Sequence, residues 1–241
     1  MESIKKANVS GKKVIVRVDF NVPIENDKIV DDTRIVSSLK TIKYLLDHNA
    51  KVILLSHLGR IKTKEDKEKY SLEIVAKHLS TLVNAPVYFV PVTRGDILEK
   101  TIENLESSEI VLVENTRFED YPKSLESSCD EALSKYWASL GDIFVFDAFG
   151  SSHRCHASTY GISKYLKSYA GFLVEEEVTM LNKAIHQRKT MILGGGKVDD
   201  KIDVINNLIN TCDKLLLGGA MCFTFLKAKG YNVGKNEVVE D

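Results

Sequence analysis

The chain has 241 residues, enough for one large domain or two smaller ones and for a sizeable buried core. Charged residues make up 28% and hydrophobic residues 44%, with Gly 14 and Pro 4, which excludes a fibrous, low-complexity or disordered chain. Lys plus Arg number 33 against 34 Asp plus Glu, so the net charge is −1 and no global field gathers nucleic acid or another polyanion.

The opening MESIKKANVSGKK has no apolar signal-peptide core. The longest uncharged stretch near the end, 215–226, is 12 residues, short of the roughly 18 that a membrane span requires. A cytoplasmic protein with neither membrane nor nucleic-acid partner is expected.

The first apolar run, VIVRV at 14–18, reads as a buried strand and leads into Asp19-Phe20-Asn21-Val22-Pro23. Arg34 then opens a helix behind Asp31-Asp32-Thr33, with Ile35, Leu39, Ile42, Leu45 and Leu46 at helical spacing. A second strand, KVILLS at 51–56, runs into His57-Leu58-Gly59-Arg60. The charged run 62–69, KTKEDKEK, has no apolar face and is expected to be a solvated loop, followed by a helix from about Ser71. Further strands are VYFV at 87–90, IVLVE at 110–114 before Asn115-Thr116-Arg117-Phe118, and IFVFD at 143–147 before Ala148-Phe149-Gly150. Across 174–186 the apolar Val174, Val178, Leu181 and Ile185 alternate with Glu175, Glu176 and Glu177, as in a connecting helix. TMILGG at 190–195 and KLLLGG at 214–219 begin a second set of strand–helix units.

Alternation of short buried strands with amphipathic helices predicts an α/β fold, because parallel neighbours need crossovers that cover the sheet. The expected architecture is a doubly wound, Rossmann-like parallel sheet with the start of a second α/β domain. The division expected is 1–173, a hinge helix over 174–187, and an incomplete second domain over 188–241. In such sheets ligands bind beyond the carboxyl ends of the strands.

Of seven arginines, four fall at that edge: Arg34, Arg60, Arg117 and Arg154. One alone is ordinarily a surface ion-pair partner. Four planar forks converging, with His57 beside them, predict a cup for a small, strongly anionic ligand, and Asp19 and Asn21 can meet a hydroxyl on it. His153 and His156 flank Arg154 and stand open between phosphate donors and structural groups, whereas His48, His78 and His186 read as helix-surface or helix-end residues. Cys129, Cys155, Cys212 and Cys222 show no metal or disulfide spacing and are expected to be reduced and mostly packed, Cys155 as a small packed side chain.

A second anion site is expected at Gly194-Gly195-Gly196-Lys197, where backbone N–H groups meet a helix start. It is not a Walker loop, since Met191 and Val198 occupy the required Gly and Ser/Thr places, and Asp199 breaks a dinucleotide fingerprint. Lys197 and Lys201, four apart, are expected on one helix face. Gly218-Gly219 after the next strand offers close backbone approach to a flat ligand such as a nucleobase, although a plain strand-to-helix turn explains that pair alone. Two phosphate sites in one chain suggest phosphoryl transfer between small molecules.

The segments RVDFNVP, DDTRI, KVILLSHLGR, ENTRF, DAFG followed by HRCHAS, GGGKVDDKIDVI and LLLGGAMCF together resemble the phosphoglycerate kinase family, in its order and over essentially the whole chain. The resemblance implies a two-domain hinge enzyme that moves a phosphoryl group between 1,3-bisphosphoglycerate and ADP, giving 3-phosphoglycerate and ATP with magnesium. It places Asp19, Asn21, Arg34, His57, Gly59, Arg60, Arg117 and Arg154 on the glycerate substrate. Gly195, Gly196, Lys197, Lys201, Gly218 and Gly219 fall on the nucleotide, with Arg34, Lys197 and Lys201 as the catalytic set. Departures are Phe146 for a usual Asn, Ile61 for Pro, Ser151-Ser152 for Thr-Ala, and Gly196 for Ala. The family continues well past residue 241, and the ribose-binding glutamate, another Gly-rich loop and the magnesium-binding aspartate are expected in that further part, so the 241 residues alone are expected to be inactive. No metal ligands are assigned within this chain, and the family is usually monomeric.

The competing expectation is a non-catalytic phospho-ligand-binding or partner-binding module, which the exposed apolar edge of an incomplete second sheet would favour through association. A nicotinamide oxidoreductase of similar architecture is the third reading, and the broken fingerprint argues against it.

Overall fold

In this computed structural model, residues 1–187, 189–236 and 238 are described, the side chains of Ile185, His186 and Asp200 excepted. The placement expected for the His186 side chain therefore lies outside the described residues. The chain separates into two compact units, Met1–Glu177 and Val178–Asp241.

The first unit is built on a seven-stranded parallel sheet in the order β1-β9-β8-β2-β5-β7-β6. Its strands are β1 (Glu2–Ser3), β2 (Lys13–Val18), β5 (Lys51–Leu55), β6 (Val87–Val90), β7 (Ile110–Val113), β8 (Ile143–Asp147) and β9 (Ser168–Ala170). A two-residue hairpin, β3 (Ile24–Glu25) and β4 (Lys28–Ile29), stands apart from the sheet. Helices α1 (Thr33–Asp47), α2 (Glu65–Lys69), α3 (Glu73–Leu82), α4 (Asp96–Glu103) and α5 (Glu131–Ser139) follow the strands, and α6 (Phe172–His186) leads out of the unit.

Strand pleating sorts side chains to opposite faces. Val14, Val16, Val18, Val52 and Leu54 pack with Ile35, Ile42 and Leu45 of α1 and Val75 and Leu79 of α3 on one face. Ile15, Ile53, Leu55, Phe144 and Phe146 pack with Leu98 and Ile102 of α4 and Leu133 and Trp137 of α5 on the other. The sheet is thus covered on both sides, and only its strand ends and edges are left to meet ligands.

The structure corrects several expectations. The run 62–69 is not all loop, since Glu65–Lys69 is helical. Asp66 makes that helix start: its carboxylate accepts from Lys62 N at 2.8 Å and Thr63 N at 2.9 Å, while Asp66 N donates back to Thr63 Oγ1 at 3.3 Å. The next helix begins at Glu73 rather than Ser71, because the Glu114 carboxylate takes Ser71 Oγ (2.7 Å) and Leu72 N (2.8 Å) ahead of the first turn. The sequence reading has no β1, β3, β4 or β9; two- and three-residue strands carry no measurable period. The connecting helix starts at Phe172, two residues earlier than read, with Phe172 N donating to Thr41 Oγ1 at 2.8 Å and Leu173 N to Asp147 Oδ1 at 3.0 Å. Burial holds the Asp147 carboxyl up at about 6. Cys155 is exposed rather than packed, and Cys129, Cys212 and Cys222 are half-buried.

The second unit holds a parallel pair, β10 (Thr190–Gly194) and β11 (Lys214–Gly218), in register Thr190 to Lys214. Helices α7 (Ile202–Ile209) and α8 (Cys222–Ala228) follow these strands. Val198, Ile205 and Met221 form a small core against Leu193, Leu215, Leu217 and Phe225. On the same strands Ile192 and Leu216 are exposed. No helix among the described residues is long and apolar enough to cross a membrane.

Trp137 is fully buried and its indole N–H donates to Thr93 O at 2.8 Å, whereas Ile192 is 80% exposed. Trp137→Ala is expected to cost about 3–5 kcal/mol and Ile192→Ala less than about 0.5 kcal/mol, read from urea unfolding.

Candidate active site

The carboxyl ends of β2, β5, β7 and β8 bring the expected anion cup together. Arg34, Arg117 and Arg154, with Asp19, Asn21 and His57, line one cavity of about 190 Å³. Arg60, with Lys62 and Asp120, lines a neighbouring cavity of about 330 Å³ whose wall again includes Arg117, Arg154 and His156. The four arginines thus line two neighbouring lobes that share Arg117, Arg154 and His156 in their walls. Arg117 feels both Arg60 and Arg154 as like charges, and burial, with that repulsion, lowers its pKa.

Each residue is placed by a bond one can name. Asp19 leaves β2 and accepts from Arg34 Nη1 at 2.5 Å and from Asn21 N at 3.2 Å. Asn21 Oδ1 accepts from Gly59 N at 2.8 Å, and Gly59 O accepts from Arg117 Nη1 at 2.5 Å. Gly59 therefore joins the loops after β2, β5 and β7, its N–H and its carbonyl each bonded to a neighbour. It has φ +61°, and a Cβ there would lie 2.5 Å from the Tyr70 ring. Asn115 organises the same corner: its side chain accepts from Leu58 N (3.1 Å) and Arg117 N (3.1 Å) and donates to Leu58 O and Tyr70 O.

A fifth arginine belongs to the cup. Arg17, inside the apolar run VIVRV, is fully buried at the end of β2, on the α5 side of the sheet. Its Nε donates to Ser158 Oγ at 2.8 Å, Nη1 donates to Val18 O, and Nη2 lies 3.0 Å from His57 Nδ1. Ser158 passes the contact on, donating its hydroxyl to Glu126 Oε1 and its N–H to Glu126 Oε2 at 2.9 Å. Every partner of the fully buried Glu126 carboxylate here is a donor, which suits its ionised, acceptor-only form opposite Arg17, although burial pushes its pKa up. The sequence carries one signal of this: a cation in an unbroken strand must have a buried counter-charge.

The two histidines left open differ in burial. His156 is buried, with Nδ1 3.9 Å from Glu126 Oε1, and His153 is exposed at the cavity rim. Burial, with Arg17 and Arg117 nearby, pushes His57 down to about 2, and burial, with Arg117 and Arg17, pushes His156 down to about 4. The cup thus presents permanent guanidinium charge beside neutral imidazoles.

In the second unit, the turns after β10 and β11 meet backbone to backbone. Gly195 O accepts from Met221 N at 3.0 Å, and a Cβ on Gly219 (φ +71°) would lie 2.7 Å from Gly195 O. A Cβ on Gly196 or Gly218 would meet nothing within 4 Å, so both leave open backbone that a phosphate or flat ring can approach. Lys201 reaches this turn, its Cε 3.9 Å from where a Cβ of Gly195 would stand. Lys197 and Lys201 do not share a helix face as expected: Lys197 precedes the helical turn Asp199–Lys201, and α7 begins only at Ile202. The open glycines with two lysines fit an anionic phosphate group.

A family model described as Phosphoglycerate kinase matches residues 4–241. The phosphoglycerate kinase of Fusobacterium nucleatum subsp. nucleatum is 53% identical over 99% of this chain and 61% of its own length, and that of Enterococcus faecalis is 51% identical over 100% and 62%. The solved phosphoglycerate kinase from Coxiella burnetii superposes with a TM-score of 0.85 at 36% identity, covering 99% of this chain and 59% of that one. The structure from Pyrococcus horikoshii OT3 gives 0.80 at 31%, over 97% and 59%. The chain spans about three-fifths of the length of the relatives it matches.

Two outcomes are expected from this geometry. Gly59→Ala is expected to weaken anion binding at the cup by about tenfold or more, since Tyr70 and the positive φ both oppose the added methyl; calorimetry with sulfate reads it. The His57 pKa lies below its unfolded value near 6.5, so on acidification the unfolded chain takes a proton that the folded chain refuses, and stability falls. That loss between pH 7 and pH 5 is about 2 kcal/mol. Asp147, raised to about 6, acts oppositely, gaining stability as pH falls toward its unfolded value. Comparing wild type with His57→Gln in urea unfolding at both pH values isolates the histidine, and the variant's pH-dependent loss is expected to be smaller by about that amount.

Proposed function

The chain belongs to the phosphoglycerate kinase family, and from that premise we propose that its first unit holds 3-phosphoglycerate or 1,3-bisphosphoglycerate in the arginine cup. Its second unit would take the phosphates of ADP or ATP on the Gly195–Lys197 and Gly218–Gly219 turns, with helix 174–187 as the hinge. The reaction is reversible phosphoryl transfer, in the cytoplasm.

The single observation that supports the reading most is the convergence of Arg34, Arg60, Arg117 and Arg154 around two neighbouring lobes of about 330 and 190 Å³ with shared walls, room for a small molecule with an anionic group at each end. Arg60, Arg117 and Arg154 would take a phosphate in the outer lobe, as bidentate donors with fixed charge. Arg34, oriented by Asp19, would meet the acyl end, and Asn21 with Asp19 the hydroxyl. Phosphoryl transfer asks for little covalent work from side chains, and positive charge held in place stabilises oxygens that gain charge in a loose, in-line transition state. Arg34, Lys197 and Lys201 are the groups assigned that role.

The magnesium that accompanies the nucleotide would be held chiefly by phosphate oxygens and water, with few protein ligands needed. For the 241 residues taken alone, substrate binding without turnover is expected.

Arg34→Ala and Arg154→Ala are each expected to weaken 3-phosphoglycerate binding by ten- to a hundredfold, at about 1.5–3 kcal/mol per lost charge-assisted contact. Isothermal calorimetry on both variants decides it, and affinities equal to wild type in both would remove the basis of the reading.

A further inference from the structure

We propose that Arg17 is a positioning residue: its buried guanidinium holds His57 as the single tautomer that carries its proton on Nε2 and offers that N–H to the substrate. The inference rests on the glycerate-binding reading of the cup.

The argument is one of hydrogen-bond capacity. A guanidinium has only donors, so the 3.0 Å contact from Arg17 Nη2 to His57 Nδ1 requires an unprotonated ring nitrogen with its lone pair toward Arg17. A neutral imidazole has one proton, which must then be on Nε2. Among the described residues Nε2 makes no hydrogen bond, and His57 lines the smaller lobe, so Nε2 is the nitrogen left to the cavity. Arg17 cannot easily turn away, because Ser158 Oγ and Val18 O hold its other nitrogens and Glu126 answers its charge.

The charged groups around His57 favour the same state. Burial comes first, then Arg17 from β2, Arg117 from the turn after β7, His156 from the turn after β8 and Arg34 from α1, all opposing protonation. Among the described residues Asp19 is the one carboxylate lining that lobe, and it is tied to Arg34. A free histidine near neutrality would be partly cationic and would exchange tautomers; a cup for a doubly anionic ligand gains a fixed donor instead, aimed the same way before and after binding.

Nitrogen-15 NMR of histidine-labelled protein reads both ring nitrogens directly. The expected result for wild type is an unprotonated Nδ1 and a protonated Nε2 at His57, unchanged from pH 8 to pH 5. A proton on Nδ1, or titration near 6.5, overturns the proposal without any variant. Arg17→Lys keeps the charge but cannot supply the fork; it is expected to release His57 to mixed tautomers, with burial and the retained charge still opposing protonation, and to weaken 3-phosphoglycerate binding about tenfold at pH 8. A folded Arg17→Lys protein with the wild-type tautomer and affinity also overturns it. Should wild type keep the Nε2–H tautomer and fail to bind 3-phosphoglycerate, the ligand assignment fails and the positioning role stands.

Discussion

Five guanidinium groups at one sheet edge repel one another, and the first unit is arranged so that this repulsion is contained without being cancelled. Three carboxylates meet the arginines at different depths. Glu126 lies at the bottom, answering Arg17 through the Ser158 hydroxyl; Asp19 holds Arg34 from the side; Asp120 stands by Arg117 in the outer lobe. Only the deepest pair is fully buried, where an uncompensated charge costs most. Toward the opening the compensation thins, leaving net positive charge of the kind an anionic ligand would meet. Neutral histidines fit the same constraint, since a further proton on His57 or His156 would add to a field already positive.

How far the sequence discloses this depends on the distance over which each feature is encoded. The central strands are legible because each is a run of four to six mostly apolar residues, and the strand ends are legible because parallel topology sends the residues just beyond them to one edge. Arg34, Arg60, Arg117 and Arg154 can be gathered that way, being just beyond strands or at a helix start. Arg17 cannot, because it is inside a strand and its partners Ser158 and Glu126 are more than a hundred residues away in the chain. Helix Glu65–Lys69 is hidden for the opposite reason: Asp66 and Thr63 cap it locally, with no apolar face to reveal it. The bonds that fix Gly59, to Asn21 and from Arg117, are likewise hidden; a turn's hydrogen-bond partners are not written in its residue types.

Burial in the second unit is one-sided. Its two strands have one face against Val198, Ile205 and Met221, and the other leaves Ile192 and Leu216 in the open. A pair of strands needs further covering to be stable by itself. The close approach of the turns at Gly195 and Gly219 is nonetheless already set by their own backbones, through the Met221 N to Gly195 O bond. These glycine turns are thus set locally, whereas the two-stranded sheet behind them leaves one face uncovered.

The pairing of β1 with β9 ties Glu2 to Tyr169 and Ser3 to Ala170, so among the described residues this edge strand is paired with the last strand of the unit. The central β2 likewise waits for β8, Val14 lying opposite Ile143. On a ribosome these partners emerge far apart in time, and loop-closure entropy must be met before either contact is gained. The strand Glu2–Ser3 therefore finds its partner only when the last strand of the unit has been made, and the arginine cup, whose wall runs from Arg17 to His156, is complete only after most of the unit has been synthesised.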